Sequence, residues 1–211
     1  KSFMTFGGSS FDVITSVASN ADGDIFLSGN YTGTIDLGDT PLIGSGSLHQ
    51  FVVGLNSQQT FDWAHGFIKG FSSNGVDHQR RSITTSSSGD LLLANYFKQQ
   101  ISIDGETHTS KGASDTLVAQ FSKEGSLAWS QSYGSPQEDW GTLVATDSND
   151  NVYVAGNSNR TFYIDNTEIP NIGTSSIFLI KHDSEGELVW GKSIGSPSWD
   201  WPGGLGTDAE D

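Results

Sequence analysis

The chain has no cysteine and a single methionine. Without thiols there is no disulfide framework, no thiolate metal ligand and no cysteine nucleophile, and an oxidising compartment is tolerated as readily as a reducing one. Basic charge is scarce: 10 Lys+Arg stand against 25 Asp+Glu, a formal net charge of −15. Binding to a phosphate backbone needs a basic patch, so nucleic acid is not an expected partner, and an anionic membrane surface is disfavoured on the same ground. No apolar run approaches the roughly 18–20 residues of a membrane-spanning helix, so membrane insertion is not expected. No segment sustains a helical period over two turns. The five histidines (His49, His65, His78, His108, His182) fall at unrelated places. No His-x-x-x-His pair or nucleophile elbow occurs, so zinc chemistry and a serine triad have no support in the sequence.

What is present is glycine, 26 of 211 residues, with aromatic residues and short apolar runs. The runs repeat. Phe61-Asp62-Trp63-Ala64 returns as Leu127-Ala128-Trp129-Ser130 and Leu188-Val189-Trp190-Gly191, first 66 and then 61 positions on. Each is followed by an aromatic or apolar residue and usually a glycine turn: Phe67, Tyr133-Gly134-Ser135-Pro136, Ile194-Gly195-Ser196-Pro197. Phe6-Gly7-Gly8 opens the chain with the same element. An acidic residue comes next, at Asp12, Asp139 and Asp200; the second copy has an insertion there, with Asp77 or His78 in that place.

A hairpin then follows in each copy. Val17-Ala18-Ser19, Ile83-Thr84-Thr85 and Val144-Ala145-Thr146 lead through turns rich in Asn, Asp, Ser and Gly. They return as Ile25–Gly29, Leu91–Asn95 and Val152–Gly156. The turn residues supply the positive φ that tight hairpins require. A third run (Thr34–Leu37, Ile101–Asp104, Phe162–Asp165) carries its own short turn, and a fourth (Gln50–Leu55, Thr116–Phe121, Ile177–Lys181) leads back to the Trp run. At least four short strands per repeat, many alternating with period 2, predict an all-β chain: a β-propeller of four-stranded antiparallel blades. The blades span approximately 7–67, 68–133 and 134–194, with a partial fourth at 195–211. Lys1-Ser2-Phe3 falls inside the pattern rather than in a leader, so the chain reads as a piece of something longer, or as one completed by another chain.

The pattern Trp-x-x-x-aromatic-Gly, Asp, Val-Ala-x-Asp-x-x-Asn-Val-Tyr-Val-Ala-Gly, Ile-Asp resembles the bacterial seven-bladed β-propeller repeat. The third copy carries it best, through Trp129, Tyr133, Gly134, Asp139, Asp147, Asn151, Val152, Tyr153, Val154, Gly156, Ile164 and Trp190. The second departs most, with Asn95 in place of the glycine and Ser86 in place of the acidic turn residue. The resemblance covers nearly the whole chain. It implies the fold and a bacterial or archaeal setting, extracellular or at the cell surface, and it transfers no catalytic residues.

Two faces carry candidate chemistry. The first collects Phe11, Asp12, Phe71, Asp77, His78, Glu138, Asp139, Trp140, Trp199, Asp200 and Trp201, with Tyr31, Phe97, Lys98, Asn159 and Arg160. Aromatics beside carboxylates suit a ligand such as a sugar, whose apolar face stacks on a ring while its hydroxyls reach oxygen acceptors. Trp140, Trp199, Trp201, Asp139 and Asp200 are the candidate ligand-binding residues. The competing reading is that Trp140 and Trp201 fill the gap between blades, and that Asp12, Asp139 and Asp200 cap turns. The second face carries acidic hairpins. Oxygen side chains at alternate positions make Asp22, Asp24, Asp147 and Asn149 candidate calcium ligands, against the reading that they are ordinary turns. Trp63, Trp129 and Trp190 read as blade-packing residues.

The expected function is a non-catalytic propeller module of a prokaryotic secreted or cell-surface protein, a scaffold or a binding platform for protein or glycan. Self-association to close the propeller is a further expectation. The rivals are a glycan-active lyase or hydrolase with its site at the channel mouth, and a structural spacer of an adhesin or filament.

Overall fold

The computed structural model describes residues 5–37, 41–68 and 82–208. The turn at 38–40 and the candidates Phe71, Asp77 and His78 lie outside them. The architecture is all-β: three four-stranded antiparallel sheets and two small hairpins, with the sheets not closed into a barrel. Among the described residues there is no helix, hence none long and apolar enough to cross a membrane.

The first sheet runs β1 (Asp12–Ser19), β2 (Ile25–Ile35), β3 (Leu42–Leu55) and β4 (Phe61–Ile68), each hydrogen-bonded to the next. The second contains β5 (Ser82–Thr85), β6 (Leu91–Phe97), β9 (Asp115–Phe121) and β10 (Leu127–Tyr133), in that spatial order. Between β6 and β9, the small hairpin of β7 (Gln100–Ile103) and β8 (Glu106–Thr109) stands apart from the sheet. The third repeats the plan with β11 (Asp139–Thr146), β12 (Val152–Ser158), β15 (Ser176–His182) and β16 (Leu188–Ile194), and the hairpin β13 (Phe162–Ile164) and β14 (Thr167–Ile169). The third run of the repeat therefore builds this accessory hairpin. In the first blade it is continuous with the sheet, as Thr34 and Ile35 pair with Ile43 and Leu42.

The blades stack face to face, and the packing accounts for the sequence pattern. Along β6, Leu91 and Leu93 join Phe26, Val52, Trp63 and Phe67 of the first blade, while Leu92 and Ala94 join Val144, Val152, Val154 and Phe178 of the third. Alternate side chains point to opposite faces of a strand, so a strand buried on both faces reads as an unbroken apolar run. The first blade's other face holds Leu27, Tyr31, Ile35, Phe51 and Val53, with Phe6 and Phe61 packed against them. The first strands β1, β5 and β11 lie side by side.

Three contacts recur at successive seams. The outer-strand indole of Trp63 donates its N–H to the Lys123 carbonyl, 2.8 Å away, in the next blade's hairpin. Trp129 makes the same bond to Ser184, 3.2 Å, and a second to Gln120 Oε1, 2.8 Å. The rings lie over Gly125 and Gly186, both at positive φ, and a Cβ at Gly125 would come within 2.5 Å of the Trp63 ring. Asp139 N donates to the Ser114 carbonyl (3.0 Å), and Asp200 N to that of Ser175 (3.2 Å). Thr85 Oγ1 donates to Ser19 O (3.2 Å), Thr146 Oγ1 to Thr85 O (3.1 Å) and Thr207 Oγ1 to Thr146 O (2.6 Å). Residues 198–207 thus lie along β11 through the same bonds by which β11 lies along β5.

Candidate functional site

The acidic residue of the repeat does the same work at its three described positions. Asp12 accepts the N–H of Gly8 (2.6 Å), Asp139 that of Ser135 (2.6 Å) and Asp200 that of Ser196 (2.7 Å). Asp139 also accepts the hydroxyl of Ser135 (2.8 Å) and that of Ser158. A carboxylate four residues beyond an orphan N–H closes the turn that swings the chain from one blade to the next. Asp139 is 0% exposed. Burial pushes its carboxyl up to about 6, against the pull of the Ser158 and Ser135 donors and aided by the charge of Asp115. As folded, Asp139 holds a turn and is closed to an outside ligand.

The tryptophans lie at the rim beside it. The rings of Trp140 and Trp201 stack at 5.2 Å, with 21° between their planes. They occupy the same place in successive copies, so the ring of one blade lies on the ring of the next. Trp201 is 50% exposed and Trp199 54%. Trp199 sits where the third blade has Glu138, since Ser175 bridges Trp199 as Ser114 bridges Glu138. Lys98 approaches Glu138 to 3.9 Å, and the Arg160 guanidinium bonds the Asn159 carbonyl at 2.9 Å. Tyr31 and Phe97 belong to the core, and Phe11 is exposed. Sequence reasoning placed all of these at one end of the sheets. The structure brings Trp140 and Trp201 into contact, leaves Trp199 and Trp201 half open, and turns Asp139 and Asp200 inward to their turns.

The opposite face carries six hairpins built alike. At each, residue i receives the N–H of residue i+3 on its carbonyl and donates its own to the carbonyl of i+4; i is Asn20, Asn56, Ser86, Ser122, Asp147 or Asp183. The side chain of i caps a further N–H, as Asn20 Oδ1 does for Asp22 (3.1 Å) and Asp24 (2.9 Å). Position i+3 has positive φ in all six, as Gly23, Gln59, Gly89, Gly125, Asp150 and Gly186. Asp147 accepts from Asn149 N (3.0 Å), Asn151 N (2.8 Å), Asn151 Nδ2 (2.7 Å), Tyr153 Oη (3.1 Å) and Lys181 Nζ (3.0 Å). Burial works to raise its pKa, but these donors outweigh it and hold the carboxyl well below the usual range. Asp22 pairs with Lys123 at 3.0 Å. Two of the expected calcium ligands therefore have cationic partners, and Asn149 enters through its backbone. Among the described residues no three His, Cys, Asp or Glu side chains converge as a cation would need.

One arrangement was missed in the sequence. His108 places Nδ1 3.0 Å from Ser132 Oγ and Nε2 2.7 Å from Ser130 Oγ, and Ser130 donates to Glu106 at 2.6 Å. Burial lowers the pKa of His108, against the charge of Glu106. The third blade has Ile169 packed on Gly191 at the matching place. The signal was available: an apolar hairpin position becomes histidine in one copy while its facing positions become serine.

The family comparison decides between a propeller repeat and an unrelated stack of sheets. Residues 128–162 match the family model of the beta-propeller repeat (SBBP). That stretch is similar to one such repeat. The matched stretch runs from the Trp-bearing strand of the second blade into the accessory hairpin of the third, so it spans one seam of the propeller. No curated protein matches the chain. Among solved structures, a protein of unknown function from Bacteroides caccae is similar at 12% identity, over 87% of this chain and 82% of that one, with a TM-score of 0.31. That value is too low to carry an argument.

Proposed function

We propose that the propeller is a non-catalytic module of a secreted or cell-surface prokaryotic protein, a scaffold that presents a binding platform for protein or glycan. The observation that carries this is the uniform use of the repeat's carboxylates. Catalysis by paired acids needs unlike groups converging on a substrate. Here Asp12, Asp139 and Asp200 instead close equivalent turns. Among the described residues, the grooves beside residues 5–8 each hold a single ionisable side chain, Asp36 in one and Asp12 in the other. The binding surface is the rim at Trp199 and Trp201, whose open indole faces suit an apolar sugar face or an aromatic side chain. The setting is supported by the resemblance of the repeat. The outer face of the third blade, where Ile194 is half exposed at the place that Phe67 and Tyr133 hold buried in the other blades, is the surface through which self-association would proceed.

A glycan array and a panel of glycoside substrates separate this reading from the enzymatic one. Binding without turnover, lost in Trp199→Ala and Trp201→Ala, is the expected result. Turnover of any glycan overturns it. Sizing chromatography across a concentration series tests self-association, which a concentration-independent monomer excludes.

A further inference from the structure

Asp115 and Asp139 form a pair that the turn-capping role does not require. Asp115 opens β9 and Asp139 opens β11, on opposite sides of the seam between the second and third blades. Their exposures are 1% and 0%. The Asp139 amide bonds the carbonyl of Ser114, the residue before Asp115. The carboxylate of Asp115 lies against Gly134, where a Cβ would meet it at 2.5 Å, and the next residue, Ser135, gives its N–H and hydroxyl to Asp139. Two carboxylates thus flank the Gly134-Ser135 step, each raising the cost of ionising the other. Among the described residues, the ionisable groups around them give little relief. Lys111 donates its backbone N–H to Asp115 (3.0 Å) and is the cation whose charge reaches it. Lys98 pairs with Glu138, Arg160 bonds a backbone carbonyl, and the Tyr133 hydroxyl is buried without a partner. Neither aspartate forms an ion pair among the described residues.

The third blade provides an internal control. Phe97 pairs with Asp115 in register as Ser158 pairs with Ser176. Ser176 Oγ accepts the N–H groups of Ile172 (2.8 Å) and Gly173 (3.3 Å), as Asp115 accepts those of Lys111 (3.0 Å) and Gly112 (3.3 Å). A serine is enough to close this turn. The second carboxylate adds a titrating charge where no ligand can reach it.

We propose that the seam between the second and third blades is a pH-operated latch, closed in mild acid when Asp115 and Asp139 hold a proton between them and loosened at neutral pH when both ionise. Burial raises both carboxyls, Asp139 to about 6. A raised folded-state pKa means that the folded protein keeps a proton the unfolded chain has released. The stability from that proton is full below about pH 4 and is lost as pH rises through about 6.

The test compares the full chain with Asp115→Ser, the residue the third blade uses, at pH 5.0 and pH 7.5. The net charge of −15 gives both proteins a common slope, so the difference between them reports the pair. Asp115→Ser is expected to raise Tm at pH 7.5 by about 5 °C and to change it little at pH 5.0. Equal pH dependence in the two proteins overturns the proposal. Should Asp115→Ser fail to fold, hydrogen exchange on the unaltered chain decides. After correction for intrinsic rates, protection at 112–116 and 135–141 falls about tenfold from pH 5.0 to 7.5, while protection at 175 and 200 holds. Unchanged protection at the seam between the second and third blades refutes the latch.

Discussion

Trp63 and Trp190 occupy one position of the repeat but different surroundings, and replacing each with alanine measures what a seam contributes. Trp63 is 8% exposed. Its N–H meets Lys123 O at 2.8 Å, and its ring lies 6.1 Å from Phe121 and 6.0 Å from Phe26. Truncating a buried tryptophan costs about 3–5 kcal/mol. The Lys123 carbonyl then lies beside the cavity without its partner, and a neutral hydrogen bond is worth about 0.5–1.5 kcal/mol. The terms overlap, so Trp63→Ala is expected to cost about 4 kcal/mol, a large share of the roughly 5–15 kcal/mol that holds a domain folded. Trp63→Phe keeps most of the ring and loses the bond, about 1–2 kcal/mol. Trp190 is half buried, and among the described residues no hairpin of a next blade lies over it. Its ring meets the Lys192 ammonium at 5.0 Å and the edge of Tyr153 at 6.1 Å. Exposed contacts of these kinds are worth about 0.5–1.5 kcal/mol each, so Trp190→Ala should cost about 1–2 kcal/mol. Urea unfolding followed by far-ultraviolet circular dichroism gives both values, and the slope against urea shows whether the cooperative unit stays the same. Equal costs for the two alanine variants would refute the assignment of the indole to the seam.

Three further outcomes are expected. Asn95→Gly restores the glycine of the other copies but leaves the buried Gln50 amide without the two bonds it exchanges with Asn95. It should cost about 1–3 kcal/mol, and pairing it with Gln50→Leu should recover most of that, as a double-mutant cycle on chemical denaturation would show. Asp147→Ala removes a turn cap and the ion pair to Lys181, whose ammonium keeps its bond to Tyr153 Oη, a loss of about 2 kcal/mol at pH 7. Because the folded state depresses the Asp147 carboxyl, its stabilisation is present above about pH 4 and fades in stronger acid, so the penalty measured by melting should shrink below pH 3. Tm is expected to stay within about 1 °C on adding EDTA or millimolar Ca²⁺, whereas a rise of several degrees with Ca²⁺ would place a cation at the acidic hairpins.

The fold was legible because its signals are local and repeated. The turn residues from Asn20 to Asp183, the alternating runs and the returning Trp each speak for a strand or a turn without reference to distant partners. What escaped were the bonds between blades. Asn95 looked like a lapse from the pattern, and its reason is Gln50, 45 positions earlier in the chain. Asp115 stands one place before the Thr116–Phe121 run with nothing in the sequence to mark it, and only the arrival of Asp139 beside it makes a pair. His108 stood alone in the sequence because Ser130 and Ser132 reach it from another strand. At the rim the turn-capping reading of Asp139 needed only a local partner, and its carboxylate does turn back to the N–H of Ser135, four positions earlier. For Trp140 and Trp201, equal places in the repeat suggested that they fill the gap between blades, and the stacking of their rings is what the structure adds.

The threonine bonds from Thr85 to Ser19, Thr146 to Thr85 and Thr207 to Thr146 make a staircase in which every step is cut to the same tread. Each riser offers a carbonyl upward and a hydroxyl downward, so any unit that brings its own threonine fits any landing. A gene that lengthened by copying one unit would need no new interface for the added step to find its height. Ancestry by tandem duplication and tolerance of variable blade number both follow from that interchangeable joint.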